Sequence, residues 1–247
     1  MDPRLKTPFT CMVAGGSGCG KSTLITAIIT RLDSALDRVP QKIVIAYSRM
    51  QPLYEEMSQA APCPVVFVEG LDQDFKTEPN TLLIVDDLQG TDNVRTICQW
   101  FTKNSHHYDT SVFYLVQNIF DKTPEHRTIS LNAHYIIAFK NPRDASQISH
   151  LSKQVYPHAP KVLVDAYKKA THKAHGYLVL DFRQDTDDLY RLRDGVFIDN
   201  VHVYVDESTT GDSLTAMQNE AVQRPQRRPA GLGQGQAGGC EENHTPG

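Results

Sequence analysis

The sequence has no long apolar run, no paired cysteines and no excess of positive charge. Because no apolar run approaches the roughly 20 residues that a helix needs to cross a bilayer, a membrane-spanning chain is not expected. The five cysteines are scattered, with no C-x-x-C pair, which favours reduced thiols in the cytosol or nucleus over a disulfide framework or a zinc site. A net charge of −4 excludes indiscriminate binding of nucleic acid over the whole surface.

Two further absences narrow the class of protein. The start of the chain, 1–8, is short and polar, so no signal peptide is expected. His172 and His175 lie close together in the sequence, but without a cysteine pair nearby they are better explained as exposed side chains than as zinc ligands. What remains is a chain of 247 residues, 40% of them hydrophobic, which is long enough for one large domain or two small ones.

A glycine-rich stretch, GGSGCGKST, occupies residues 15–23 and fits the phosphate-binding P-loop, or Walker A motif. An apolar run precedes it, and apolar residues at helical spacing follow it, which gives the strand, loop and helix that the motif requires. Glycines let successive N–H groups turn toward a triphosphate, while Lys21 reaches the β- and γ-phosphates and Ser22 places its hydroxyl on Mg²⁺. The sequence therefore predicts ATP and Mg²⁺ as cofactors. The predicted nucleotide-binding residues are Gly15, Gly16, Ser17, Gly18, Cys19, Gly20, Lys21, Ser22 and Thr23.

A second apolar run, TLLIVDD at 81–87, ends in two carboxylates as a Walker B strand does. Asp86 is then the Mg²⁺ ligand, directly or through water, and Asp87 orients or deprotonates the attacking water. A strand that ends in two aspartates is also a common start of a loop. Its place about sixty residues after the P-loop favours the functional interpretation.

The apolar run 111–116 ends in a polar amide, Gln117. An amide at the tip of a strand beside Walker B suits a sensor of the γ-phosphate, and a plain strand-end cap is the alternative explanation.

Strands and helices alternate along the chain, which predicts an α/β fold with a mainly parallel sheet flanked by helices on both faces. A further strand between the P-loop strand and Walker B, together with the polar strand tip, favours the ASCE division of P-loop NTPases, of the RecA/FtsK-like kind. The nucleotide is then expected at the carboxyl ends of the strands. The predicted strands are 9–14, 42–48, 64–68, 81–87, 111–116, 135–139, 177–182 (a candidate edge strand) and 201–205. The predicted helices are 24–37, 52–61, 92–104, 145–155 and 161–170.

Composition changes near residue 206. The final 42 residues hold seven glycines, three prolines and almost no large apolar side chains, so they cannot bury enough surface to offset their chain entropy. The sequence predicts an ATPase domain over 1–205 and a disordered tail over 206–247.

Six stretches together resemble the FtsK/HerA-type genome-packaging ATPases. They are PFTCMVAGGSGCGKST, LLIVDDL, FTKNSHH, VFYLVQNIF, HRTISLNAHYIIAFKNPRD and HGYLVLD. The similarity covers roughly 8–199 and is to the packaging ATPases of Polinton/Maverick elements, adintoviruses and related double-stranded DNA viruses, with those of poxviruses more distant. Because many families share the Walker motifs, the stretch 101–144 carries most of the resemblance.

The resemblance implies a homo-oligomeric ring that uses ATP to move double-stranded DNA into a preformed capsid, with a capsid or portal-type protein as partner. It places the chain inside the host cell, in the nucleus or at the site of virus assembly, or on the virion. Lys21, Ser22, Asp86 and Gln117 match the family's phosphate ligand, metal ligands and polar sensor. Asp87 matches the catalytic acid, although relatives often have Glu there, whose side chain is one carbon longer.

The motor also needs an arginine and a DNA contact. In such rings an arginine from the neighbouring subunit usually neutralises the γ-phosphate; Arg127 is slightly preferred over Arg143, and an ordinary salt bridge is the alternative for either. A motor grips phosphates without reading bases. Lys103, His106 and His107, predicted in a loop between a helix and a strand, are candidates to line the pore, and a solvated loop is the alternative.

Other functions of a P-loop protein remain open at this stage. A helicase shares the same motifs. A nucleotide kinase would carry an arginine-rich lid, and the sequence shows no such cluster. The third alternative is an ATP-binding switch or packaging factor with little hydrolysis, which the aspartate at position 87 keeps open.

Overall fold

The structure, a computed structural model, describes residues 2–88, 90–121 and 123–205, so the predicted tail 206–247 lies outside the described residues. The strands in the described part are β1 (Thr10–Ala14), β2 (Lys42–Tyr47), β3 (Val65–Glu69), β4 (Thr81–Asp86), β5 (Thr110–Val116), β6 (Tyr135–Phe139), β7 (Tyr177–Asp181), β8 (Leu192–Asp194) and β9 (His202–Val203). They form one sheet in the order β3-β2-β4-β5-β1-β6-β7-β8-β9. The first six strands of this order run parallel, and β7, β8 and β9 each run antiparallel to the strand before. The predicted mainly parallel sheet is confirmed.

Helices cover both faces of the sheet, as predicted. They are α1 (Lys21–Thr30), α2 (Leu32–Ala35), α3 (Pro52–Ala60), α4 (Thr91–Gln99), α5 (Ser105–His107), α6 (Pro124–Leu131), α7 (Ser146–Val155) and α8 (Pro160–Ala170). One apolar cluster joins the sheet to α1, α2 and α3, and a second joins the other face to α4, α6, α7 and α8. Among the described residues, no helix is long and apolar enough to cross a membrane.

The central strand β1 shows why the sequence forms this sheet. All five of its residues are buried, and because successive side chains of a strand point to opposite faces, Met12 packs in one cluster while Cys11 and Val13 pack in the other. A strand covered on both faces reads as a continuous apolar run rather than as an alternating one.

The structure corrects several predicted elements. The predicted helix 92–104 extends to His107, because a π-helical segment, Trp100–Asn104, joins α4 to α5. The predicted helix 24–37 is two helices, α1 and α2. β7 is not an edge strand, since β8 and β9 lie beyond it. Two further elements, β8 and α6, are absent from the elements predicted from the sequence.

The parallel strands place the functional segments at one edge of the sheet. The carboxyl ends of β1, β4, β5 and β6 meet at this edge. Because β7 runs antiparallel to β6, the loop that precedes it arrives at the same edge. The P-loop, Walker B, the predicted sensor and residues 171–176 are therefore neighbours.

Candidate nucleotide-binding site

The P-loop leaves β1 and enters α1 through backbone conformations that favour glycine. Gly18 and Gly20 have φ values of 75° and 111°, in the region that side chains with a Cβ rarely adopt. At Gly15 the constraint is space, because an added Cβ would lie 2.6 Å from the Cys19 sulfur and 2.7 Å from the Cβ of Phe139. The shape of the loop thus requires glycine at 15, 18 and 20, whereas an added Cβ at Gly16 would meet nothing within 4 Å.

Lys21 begins α1 and folds back over the P-loop. Its Nζ donates to the carbonyl of Gly15 at 2.5 Å and to that of Gly16 at 3.3 Å. Ser22 and Thr23 follow in the first turn of this ten-residue helix, whose free N–H groups carry partial positive charge. The arrangement concentrates positive charge and N–H donors at one point, which suits a polyphosphate.

Asp86 ends β4 as a buried carboxylate, 8% exposed. The hydroxyl of Tyr54, on α3, donates to Asp86 Oδ2 at 2.8 Å. Burial raises the pKa of Asp86, the hydrogen bond from Tyr54 opposes that shift, the charge of Asp87 adds to it, and the charge of Lys21 opposes it. Tyr54 packs between Tyr47 and Phe67, so its ring is held in place for this contact.

Asp87 and Gln117 complete the group at the strand ends. Asp87 is exposed and adopts φ of 55°, which turns the chain sharply after the buried strand. A cavity of about 400 Å³ brings the motifs together. It is lined by Ser17, Gly18, Gly20, Lys21, Ser22, Thr23, Gln51, Asp86, Asp87, Leu115, Val116, Gln117 and His175.

The fold is the mainly parallel α/β arrangement predicted from the sequence, with the P-loop between β1 and α1 and the Walker B carboxylates after β4. The two Walker motifs and the amide at the tip of β5 meet at one cavity although they lie as much as 100 residues apart in the sequence.

No protein-family model matches this chain, and a comparison with curated proteins finds no match. Among solved structures it is similar to the genome packaging NTPase B204 from Sulfolobus turreted icosahedral virus 2 in complex with ATP-gammaS, at 18% identity and a TM-score of 0.46, over 83% of this chain and 98% of that chain. It is also similar to EssC (ATPases 2 and 3) from Geobacillus thermodenitrificans, at 11% identity and a TM-score of 0.45, over 88% and 45% of the two chains. A third is a KaiC-like protein from Pyrococcus horikoshii OT3, at 10% identity and a TM-score of 0.41, over 81% and 91%.

A second, larger cavity of about 790 Å³ adjoins the first. Both are lined by Ser17, Gly18, Gln117 and His175. The larger cavity has in addition the cationic side chains of Lys140 and Arg143 and the amides of Asn118 and Asn141. Its full lining is Gly16, Ser17, Gly18, Cys19, Gln117, Asn118, Lys140, Asn141, Pro142, Arg143, Asp144 and His175.

Gln147, at the start of α7, ties the sensor loop to the loop that carries Arg143. It is 8% exposed. Its side-chain oxygen accepts from the N–H of Ile119 at 2.8 Å, and its amide nitrogen donates to Asn118 Oδ1 at 2.9 Å and to Asp144 Oδ2 at 2.8 Å. One buried side chain therefore holds the segments that follow β5 and β6 at a fixed spacing.

The two predicted arginines lie in different places. Arg143 lines the larger cavity of its own chain. Arg127 is exposed on α6 and lines neither cavity.

The candidate DNA contacts lie away from the nucleotide. Lys103, His106 and His107 are exposed, but they belong to the helical segment that leads into β5, not to a loop. They stand at the amino-terminal edge of the sheet, whereas Gln117 follows the other end of the same strand. Seven residues of strand separate these edges, which corresponds to about 23 Å.

Sequence reasoning missed Tyr54, Gln147 and the contact that His175 makes with the P-loop. Tyr54 lies 32 residues before Asp86, with no spacing rule to connect them. His175 falls in the stretch HGYLVLD that contributes to the resemblance, which was the one available signal.

Proposed function

We propose that this chain is an ATP-driven motor that moves double-stranded DNA into a viral or virus-like capsid. The observation that carries the ATPase part is the single cavity that collects Lys21, Ser22, Asp86, Asp87 and Gln117. Phosphoryl transfer to water needs positioning and charge neutralisation more than covalent chemistry, and these side chains provide both.

The P-loop and Lys21 would hold the triphosphate. The ammonium of Lys21 rests on the carbonyls of Gly15 and Gly16, so binding requires it to exchange these partners for phosphate oxygens. A charged acceptor makes the stronger hydrogen bond, which favours the exchange.

The donors at the cavity fit Mg²⁺. Ser22 offers a hydroxyl and Asp86 a carboxylate, which are the hard oxygen ligands that Mg²⁺ takes together with phosphate oxygens and water. When bound, Mg²⁺ supplies positive charge to the β- and γ-phosphates. Tyr54 occupies one carboxylate oxygen of Asp86, which leaves the other oxygen for the metal or its water.

Asp87 and Gln117 would act on the attacking water. Asp87 orients the water and takes its proton, while Gln117 senses the γ-phosphate from the neighbouring strand end. Because Asp87 is shorter than the glutamate common in similar ATPases, the water must lie closer to the backbone of residue 87 than it does with glutamate.

Transport of DNA rests on the resemblance of the sequence to the packaging ATPases over 8–199. It supports a homo-oligomeric ring, a trans-acting Arg127 or Arg143, a capsid or portal-type partner, and work in the host nucleus, at an assembly site or on the virion. The exposed Lys103, His106 and His107 would then grip DNA phosphates at the sheet edge opposite the nucleotide.

Turnover of ATP, measured with and without duplex DNA, tests the proposal. We expect DNA to stimulate the wild type, Lys21→Ala to lose nucleotide binding, and Asp87→Ala to bind nucleotide while its turnover falls about 100-fold or more. Lys153→Ala, an exposed lysine on α7, is the matched control and should behave as the wild type.

Each alternative has a distinct outcome. An ATP turnover rate that is the same with and without duplex DNA would contradict a translocating motor and favour an ATP-binding packaging factor. Separation of duplex strands by the wild type would identify a helicase instead. Equal turnover of Asp87→Ala and wild type would remove Asp87 from the reaction.

A further inference from the structure

The loop at 171–176, between α8 and β7, lies against the P-loop. Nδ1 of His175 is 3.0 Å from the backbone carbonyl oxygen of Cys19. The same ring packs on Gly20, where an added Cβ would lie 3.3 Å from His175 Nδ1. His175 also lines both cavities of the nucleotide site. A residue 156 positions away in the sequence thus contacts the backbone that would surround the phosphates.

The backbone around His175 is held in a defined shape. His175 adopts φ of 58°, a left-handed conformation that is uncommon for residues with a side chain. Gly176 follows in a space where an added Cβ would lie 2.4 Å from the carbonyl oxygen of Ala170. Its own carbonyl accepts from the N–H of Lys140 at 3.2 Å. Packing and a hydrogen bond to the segment after β6 therefore fix the backbone from which the imidazole extends, and the exposed ring reaches the P-loop through its contact with Cys19.

The chemistry of the contact between His175 and Cys19 decides which group is the hydrogen-bond donor. A carbonyl oxygen only accepts hydrogen bonds, so Nδ1 carries the hydrogen and donates it to Cys19. The C=O of residue 19 and the N–H of residue 20 belong to one planar trans peptide and point in opposite directions. Holding the carbonyl of Cys19 toward His175 therefore holds the N–H of Gly20 on the other side of that peptide. Gly20 itself, with φ of 111°, has no side chain to restrict this rotation.

We propose that His175 is a positioning residue of the P-loop: its Nδ1–H fixes the peptide between Cys19 and Gly20, so that the N–H of Gly20 is presented to a phosphate oxygen of the nucleotide. The inference rests on the proposed nucleotide binding and deepens it. The role needs a donor at the Nδ1 position and a left-handed backbone, and it needs no positive charge.

Three replacements separate these requirements. Asn keeps an N–H donor near the place of Nδ1 and tolerates the left-handed conformation, so His175→Asn should bind ATPγS as the wild type does. His175→Gly keeps the backbone conformation without the donor. Since one such hydrogen bond is worth about 1 kcal/mol, it should bind about fivefold more weakly. His175→Gln carries its amide near the place of Nε2 and should be as weak as the Gly variant.

The readouts exclude a merely structural role. Isothermal titration with pyrophosphate, which has no base or sugar, should show the same order of affinities as ATPγS. In steady-state turnover, KM for ATP should rise about fivefold in His175→Gly while kcat changes less than twofold. Thermal unfolding without nucleotide should coincide for the Gly and Gln variants and the wild type within a few degrees. His172→Gly, an exposed histidine of the same loop, is the matched control and should leave every value unchanged.

The outcomes decide between two failures. If the wild type binds ATPγS, Lys21→Ala does not, and His175→Gly binds as tightly as the wild type, this inference is wrong while the proposed function stands. An Asn variant as weak as the Gly variant also overturns it. A wild type that binds no nucleotide overturns both.

Discussion

The carboxylate of Asp86 depends on a hydroxyl that belongs to another element. Tyr54 Oη lies 2.8 Å from Asp86 Oδ2, and both groups are buried. A buried carboxylate that loses a hydrogen-bond donor carries the full cost of its desolvation. The tyrosine therefore stabilises the ionised form of the Walker B side chain, in which it can serve a metal.

Replacing that hydroxyl alone gives a first prediction. Tyr54→Phe should lower the free energy of unfolding by about 2 kcal/mol, since hydrogen bonds to charged groups are worth about 1.5–3 kcal/mol. It should also raise the Mg²⁺ concentration that gives half-maximal ATP turnover. Urea unfolding and a Mg²⁺ titration measure the two effects.

Tyr47→Phe is the control for this prediction, because Tyr47 lies in the same aromatic group and is half-buried. It should change neither quantity appreciably. An unchanged Mg²⁺ requirement in Tyr54→Phe would contradict a role for the hydroxyl at the metal site.

Local motifs explain which parts of the site could be predicted at the scale of single residues. Lys21 and Ser22 directly follow the glycines, and Asp86 follows an apolar run. The adjacent residues therefore suffice to predict the roles of these three side chains. The partners Tyr54 and His175 could not be found in this way, because their contacts arise from packing between distant elements. The left-handed backbone of His175 could not be predicted either, since nothing in the sequence requires a histidine to adopt positive φ.

At the scale of secondary-structure elements, Gln147 joins the segment that follows β5 to the segment that follows β6. Its three hydrogen bonds fix the segment after β5 to the segment after β6. One of these segments carries Gln117 and the other carries Arg143. A change in the position of one loop is therefore passed to the other through a buried amide.

Removing this link should slow the reaction more than it weakens binding. In Gln147→Leu we expect ATP turnover to fall about tenfold, because small errors in the placement of reacting groups cost one to two orders of magnitude. Affinity for ATPγS should change less than threefold. Gln154→Leu, an exposed glutamine on the same helix, should match the wild type. Equal turnover in the two variants would show that the link plays no part in hydrolysis.

The elements that could be predicted are those with a strong pattern. Buried parallel strands give continuous apolar runs, and their number and order along the chain follow from these runs. β8 has three residues, too few for any period, and α6 buries only His126 and Ile129. The start of α6 does carry a signal, because Thr123 caps the helix and Pro124 follows it at the first turn. The π-helical segment has no sequence signature, and the predicted helix ended at residue 104 instead of His107, where the helical segment ends.

At the scale of the whole molecule, replacing Arg127 and replacing Arg143 should have different effects on ATP turnover in the proposed ring. Arg143 lines the cavity of its own chain, whereas Arg127 is exposed outside both cavities. An arginine that acts across a subunit boundary is worth about 10³ or more in turnover. Mixing subunits tests whether either arginine acts across the boundary. Arg127→Ala or Arg143→Ala subunits are each mixed with Lys21→Ala subunits, which keep both arginines but are expected not to bind nucleotide.

Mixing should restore turnover for the arginine that acts in trans. We expect Arg127→Ala with Lys21→Ala to recover part of the wild-type turnover, since an intact site then meets an intact arginine. Arg143→Ala should not recover, because its own cavity lacks the side chain. Recovery with Arg143→Ala alone would reverse the assignment.

The central position of β1 has a consequence for the synthesis of the protein. Among the strands that the structure describes, β1 leaves the ribosome first, yet its neighbours in the sheet are β5 and β6, which are made about 100 residues later. Translation proceeds at about 5–20 residues per second. The glycines of the P-loop are therefore made several seconds before β5 and β6, the strands that flank β1. The contact from His175 is translated later still. The proposed nucleotide site is therefore completed late in translation, long after the residues of the P-loop have been made.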